Sequence, residues 1–181
     1  MANFTPSASW TWLTSQQQLA LRYGVVSTEQ QLTPVLSTEF AAEAGSAFAF
    51  TLAHAELFWT FWHALEPLQF SEPGRFAAAV DATACACFLP QQGQKSWHFQ
   101  TLSTNYVPAI GDLVLLAGAG TAARALVVDV NGQSSLVLLL EDLVSLSGKP
   151  LAGGKPMMVL HNRLQVWQVP ANHSTALPKS A

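Results

Sequence analysis

The sequence predicts an α+β fold, with a small N-terminal α/β domain followed by a C-terminal β-barrel-like domain. Three observations predict it. Large residues alternate with polar ones in short runs over the first fifty positions. Two helix-length apolar stretches then follow, each opened by a capping residue and closed by proline. After Gln91-Gln92-Gly93-Gln94 the pattern changes to repeated short β runs punctuated by glycine.

In the first part, Trp10 and Trp12 alternate with polar neighbours, as do Leu19, Leu21 and Tyr23. Each group places its large side chains on one face of a strand. Gly24 offers a bend before Val25 and Val26, and Phe48 and Phe50 repeat the alternation after Gly45. Thr51 is a good N-cap for a helix from Leu52 to about Glu66, stopped by Pro67. Leu57, Phe58, Phe61, Leu65 and Leu68 form one apolar stripe on it, and Leu52, Trp59 and Trp62 a second. A helix apolar nearly all round sits inside a core or offers one face to a partner. Ser71-Glu72-Pro73 starts a second helix, with proline tolerated in its first turn. That helix runs Ala-rich to Leu89 before Pro90, and small side chains let it lie close against the first.

In the second part, β patterns occur at Trp97–Phe99, Leu113–Ala117, Ala125–Val130, Leu136–Glu141, Met157–Leu160 and Leu164–Trp167. Asn131-Gly132 reads as a two-residue hairpin turn. Several short strands at this spacing suggest a small barrel or a strongly bent sheet. The expected division is residues 1–92, then 93–169, then a flexible tail over 170–181, which is small, polar and proline-containing.

Composition excludes several function classes. Half of the 181 residues are apolar, enough for a genuine core, whereas only 10% are charged. A surface so poor in charge exposes apolar patches more readily than most. The net charge of −3 argues against a nucleic-acid partner. Residues 1–90 carry 2 bases against 7 acids, and residues 91–181 carry 6 bases against 4 acids, so the positive excess lies in the second half. The longest apolar runs, such as Leu136–Leu140, fall far short of the roughly 20 residues needed to span a membrane. The first ten residues have neither the basic nor the apolar region of a signal peptide. Cys85 and Cys87, two apart on a helix, point about 200° away from each other and share neither a metal nor a bond. They read as buried thiols of a reducing, cytoplasmic protein.

The search for a catalytic constellation finds none. Gly153-Gly154-Lys155-Pro156 lacks the hydroxyl and spacing of a phosphate loop, and Gly118-Ala119-Gly120 lacks the rest of a dinucleotide fingerprint. No HExxH, GxSxG or CxxC occurs. His54 and His63 fall out of phase on the first helix, and Glu141-Asp142 reads as a solvated strand end. Neither a cofactor nor a metal is expected, and the chain reads as no enzyme.

Lys95-Ser96-Trp97-His98-Phe99 packs two aromatics, a base and a histidine into five residues. It is similar to the KSWHF stretch of the Z-ring-associated ZapC family. Further landmarks resemble that family in the same order: Val107-Pro108, Gly111-Asp112, Ala125–Val128, Leu138–Leu140, Val144 with Gly148, and Arg163-Leu164. In the first half, Pro6, Trp10 and Trp12 resemble the family's P-x-x-x-W-x-W opening, and Ala55 to Phe61 its aromatic helix. The family members carry more charge in their first half, and of the segment 86–95 only Lys95 supplies a base here.

The resemblance implies a non-enzymatic cytoplasmic protein at the mid-cell division site. It implies direct binding to the tubulin-like protein FtsZ, bundling of protofilaments, stabilisation of the Z-ring and reduced GTP turnover. Recognition of FtsZ through its C-terminal peptide requires an apolar groove and one or two bases. Lys95 and Trp97 offer the base and an anchor, while Trp12, Leu19 and Leu21 are candidates for the apolar wall. The other reading makes Trp12, Leu19, Leu21, Trp97 and Phe99 core residues, and Lys95 an ordinary solvated base. Bundling requires two contacts per unit, either two sites on one chain or a weak homodimer through a sheet edge or the apolar helix face. Three alternatives stand beside this reading. They are a β-barrel module for a small ligand, an adaptor for another cytoplasmic partner, and an enzyme using His98, Asp112 and His161.

Overall fold

The computed structural model describes residues 4–15, 18–24, 28–37, 46–90 and 92–168. The predicted tail over 170–181 and the bend residues Val25 and Val26 lie outside the described residues.

The first sheet has four antiparallel strands in the order β3-β2-β1-β4. They are β1 (Thr11–Ser15), β2 (Gln18–Tyr23), β3 (Thr28–Gln31) and β4 (Ala47–Ala49). Trp12 lies opposite Leu21 on β2 and Phe48 on β4, so one register gathers large side chains beneath the helices. A short helix, α1 (Pro34–Ser37), separates β3 from β4.

The two predicted helices are α2 (Leu52–Ala64) and α3 (Glu72–Phe88). Thr51 caps α2 with a capping box in which His54 takes the place usual for Glu or Gln. Ser71 caps α3, and Pro73 occupies its first turn. Phe58 and Phe61 of α2 are fully buried, whereas Leu52 at its start is exposed. Trp10, Phe4, Phe58 and Phe76 form a cluster of close rings that fills the space between sheet and helices. Among the described residues, no helix is long and apolar enough to cross a membrane.

The second sheet has five antiparallel strands in the order β10-β7-β6-β5-β11. They are β5 (Leu113–Ala117), β6 (Ala122–Asn131), β7 (Ser134–Leu139), β10 (Pro156–Leu160) and β11 (Gln165–Val166). A separate hairpin joins β8 (Leu143–Val144) to β9 (Pro150–Leu151). Among the described residues no pairing joins β10 to β11, so the sheet is open and the expected barrel does not close. Asn131 pairs with Ser134, which makes the two-residue hairpin loop Gly132-Gln133. The turn therefore sits one residue later than predicted, with Gly132 at positive φ as its first residue.

This sheet is buried on both faces. Leu126, Val128, Leu136 and Leu138 belong to the aromatic core of the N-terminal half. Ala125, Val127, Val137 and Leu139 belong to a second core with Phe99, Leu116 and Leu164. Alternation along β6 and β7 thus feeds two cores from one sheet. A bulge between Val127 and Asp129 interrupts the register. It sets Val128 and Asp129 on the same side, so that Asp129 lines a cleft against α3 instead of entering the second core.

Asp81 of α3 is buried, and its carboxylate accepts a hydrogen bond from the Thr33 backbone N–H at 3.2 Å. Burial raises its pKa to about 7, against the opposing effect of that hydrogen bond. The native state therefore holds a proton that the unfolded chain releases near its ordinary pKa of about 4. This group costs nothing below about pH 4, and its penalty grows as the pH rises to about 7. Asp81→Asn is expected to raise stability at pH 8 by something on the order of 1–4 kcal/mol and to change it little at pH 4. Urea unfolding at the two pH values checks this, and an equal effect at both removes Asp81 as the cause.

Candidate functional site

Residues Gln94–Ser96 lie along the outer edge of β10, where Gln94 forms a parallel bridge with Met158. The Lys95 N–H donates to the Met158 carbonyl at 2.8 Å, and the Ser96 hydroxyl accepts from the Leu160 N–H at 2.9 Å. With these bonds made, the chain curls into a 3₁₀ turn over Ser96–His98 instead of continuing as the predicted strand. His98 N–H donates to the Lys95 carbonyl, and Phe99 N–H to that of Ser96. A strand would have kept Trp97 and Phe99 on one face. A turn with about three residues per revolution separates positions i and i+2 by roughly 240°. Phe99 consequently enters the second core, and Trp97 stands out with 63% of its surface exposed. Lys95, beside it, is half-buried.

The structure separates the five predicted partner-binding residues. Lys95, half-buried, and Trp97, exposed, both reach the surface two residues apart in the chain. Trp12, Leu19 and Leu21 are fully buried in the N-terminal core. The Trp12 indole packs edge-on against Phe88, the last residue of α3, and so steadies the helix end that leads towards Lys95. Its indole N–H donates to His54 Nδ1 at 3.3 Å, and that nitrogen also accepts from the Thr51 N–H at 3.0 Å. The imidazole must then be neutral, with its proton on Nε2, and burial accordingly lowers its pKa.

Beside Lys95 lies a cleft of about 750 Å³ between the end of α3 and the β7–β10 edge. Leu89, Leu136 and Met158 supply its apolar wall, and Asp129, Asn131 and Gln94 its polar rim. Cys85 reaches it as a buried thiol, and burial pushes the pKa of neighbouring Cys87 up to about 11. A thiol so far from ionisation is a poor nucleophile.

Of the residues considered for an enzyme, Asp112 is engaged within its own loop. Both the Tyr106 hydroxyl and the Ala109 N–H donate to Asp112 Oδ2, which ties the long loop before β5. Burial is the first cause holding the Tyr106 pKa above its ordinary value. His98 is buried, and its Nδ1 has no hydrogen-bond partner. Among the described residues, no group of three or more His, Cys, Asp or Glu side chains is placed to hold a metal ion.

Sequence reasoning missed Lys149, Lys155 and Leu146. The hairpin carrying the first and last contacts the 3₁₀ turn through Leu146 N–H donating to the His98 carbonyl at 2.9 Å. Burial first, and then the charges of Lys149, Lys95 and Lys155, hold the His98 pKa below its ordinary value. Those cations lie up to sixty residues apart in the chain, and no local motif marks them as neighbours.

Fold and surface together define a mixed helix-and-sheet protein in which Trp97, the most exposed aromatic among the described residues, sits on an anchored turn. Sequence models of the family described as cell-division protein ZapC match the chain in two parts, N-terminal over residues 3–90 and C-terminal over 90–170. The chain is 31% identical to the cell division protein ZapC of Shewanella woodyi over 166 residues, covering 91% of this chain and 92% of that relative. It is 30% identical to that of Shewanella frigidimarina over 161 residues, covering 88% and 91%. Identity to the Musicola paradisiaca protein of the same name is 26% over 172 residues, covering 93% and 92%. The chain belongs to the ZapC family of cell-division proteins.

The contrast in burial yields a prediction for the two tryptophans. Trp12→Ala is expected to cost about 3–5 kcal/mol, whereas Trp97→Ala is expected to leave the melting temperature within about a degree or two. His54→Ala orphans the Trp12 indole and removes half of the capping box, at about 1–3 kcal/mol. Because folding lowers the His54 pKa, its contribution is complete above the ordinary value of about 6.5 and is lost on acidification below it. Thermal melts at pH 7.5 and pH 5.5 read all three, and a His54→Ala penalty unchanged between these pH values contradicts the assignment.

Proposed function

We propose that this chain is a non-enzymatic division factor that binds FtsZ directly, through the FtsZ C-terminal peptide, and bundles its protofilaments. On this reading it acts in the cytoplasm at mid-cell, stabilises the Z-ring and slows GTP turnover by FtsZ. One observation carries the proposal: in a member of the ZapC family, Trp97 is held out of the fold on a hydrogen-bonded turn with Lys95 beside it. A large exposed aromatic next to a base is the usual make-up of an interface anchor. Trp12, Leu19 and Leu21 take part from beneath, by fixing the N-terminal sheet and the end of α3. Bundling requires a second contact. The edge of β3, outermost in its sheet and paired on that side with no further strand among the described residues, offers a route to a weak homodimer.

The test is co-sedimentation of the protein with FtsZ and GTP, with light scattering and phosphate release followed in parallel. Pelleting, more scattering and slower phosphate release are expected, with Lys95→Asp reducing the pelleted fraction several-fold. No pelleting at any salt concentration rejects the proposal. The cleft of about 750 Å³ favours a second reading, a module for a small ligand. A mass surplus retained on the protein in native mass spectrometry would support that reading.

A further inference from the structure

The bulge in β6 places a carboxylate in a cleft without giving it a cation. Asp129 lines the space of about 750 Å³ between the end of α3 and the β7–β10 edge. Its Oδ1 accepts the Val130 N–H at 2.9 Å. The Asn131 amide reaches its Oδ2 only at 3.5 Å, the outer limit of a hydrogen bond. The ion pairs found among the described residues are Arg22–Glu29 and Arg124–Glu141, and Asp129 belongs to neither.

The rest of the lining suits that carboxylate. Among the described residues that line the cleft, Asp129 alone is charged. Lys95 follows Gln94 in the chain but is not part of the lining, and its charge acts on His98. The Gln92 amide N–H donates to the Pro90 carbonyl at 3.1 Å, and Asn131 points its own N–H at Asp129. Each partner can only accept, which fixes how both amides are turned. Their carbonyl oxygens are left as acceptors, with no hydrogen bond among the described residues. The rim thus offers carboxylate and amide oxygens to a donor, while Leu89, Leu136 and Met158 supply an apolar wall.

We propose that this cleft binds a small alkylammonium ligand, its charged head held by Asp129 and its hydrocarbon chain laid against Leu89, Leu136 and Met158. This rests on the reading of the cleft as a small-ligand site and names the class of ligand. Charge complementarity selects it. An anion would meet an uncompensated carboxylate, and a neutral ligand would leave that charge unpaired. A divalent metal ion needs more oxygen charge than one carboxylate supplies, and no group of three or more metal-binding side chains occurs among the described residues. The volume lies within the range of about 300–1,000 Å³ usual for small-molecule sites.

Isothermal titration calorimetry of the full chain compares hexylammonium with neutral hexanol and anionic hexanoate, probes of the same chain length. Hexylammonium is expected to bind about 10-fold or more tightly than either, and less tightly as salt rises. Shortening it to butylammonium removes two methylenes and is expected to weaken binding about 4- to 16-fold. Asp129→Asn keeps an oxygen for the Val130 N–H and is expected to weaken hexylammonium binding about 10-fold or more. Near-ultraviolet circular dichroism reports whether that variant keeps its fold, and the comparison of probes needs no variant.

Equal affinity for hexylammonium and hexanoate overturns the inference and leaves the small-ligand reading standing. A folded Asp129→Asn protein that binds hexylammonium as the wild type does has the same consequence. Nα-acetyl-lysine methylamide carries the same charged head on a peptide unit. Tighter binding of it than of hexylammonium overturns a free amine in favour of a partner's lysine side chain. Binding of none of these probes overturns the inference, and the mass surplus in native mass spectrometry then decides the small-ligand reading by itself.

Discussion

One sheet with both faces buried holds the molecule together. Strands β6 and β7 send alternate residues into two different cores, so neither half of the chain can lose this sheet without exposing the other half's apolar interior. Leu126, Val128, Leu136 and Leu138 close the aromatic core built by β1, β2, α2 and α3. Val127, Val137 and Leu139 close the second core on the reverse side. Two short sections of sequence thus couple parts that the two family matches divide at residue 90.

The surface features follow from that arrangement. With both faces occupied, function has to be carried at the rims. One rim is the β7–β10 edge, and the segment after α3 lies along it. Hydrogen bonds from Gln94–Ser96 use up the edge of β10, and the remaining backbone curls into the turn that exposes Trp97. The bulge in β6 directs Asp129 to the same side, where it helps to form the cleft below the end of α3. Burial and exposure of neighbouring aromatics are therefore two results of one constraint: Phe99 fills the second core because Trp97 is turned away from it.

Much of the fold is legible in the sequence, for reasons that can be named. The helices are bounded by Thr51, Ser71, Pro67 and Pro90, residues whose local chemistry works in any context. Strands β5, β6, β7 and β10 are rich in branched apolar residues between glycines. By contrast, β3 reads TEQQ and has no apolar alternation, because it is an exposed edge that carries the Arg22–Glu29 pair. The turn at Ser96–His98 was hidden by its own composition. Trp, His and Phe in succession read as strand, and only the distant Leu160 N–H and Met158 carbonyl draw the chain out of it. The hairpin loop fell one residue late for a similar reason, since Asn131 is held in the ladder by Ser134.

The site was less legible than the fold because its charges come from separate segments. Lys95 and Trp97 are adjacent in the chain and could be singled out together. Trp12, Leu19 and Leu21 have the composition of an apolar groove wall, yet strand alternation cannot say which face meets a partner and which meets a helix. Here their face meets α2 and α3, and burial of Trp12 against Phe88 makes it a support for the surface. Lys149 and Lys155 were invisible because only tertiary structure brings them to His98. That imidazole reports them indirectly. A buried ring with an unpartnered Nδ1, among cations, gains a proton less readily than a free histidine does. Burial is the first cause of that reluctance, and the charges of Lys149, Lys95 and Lys155 follow it.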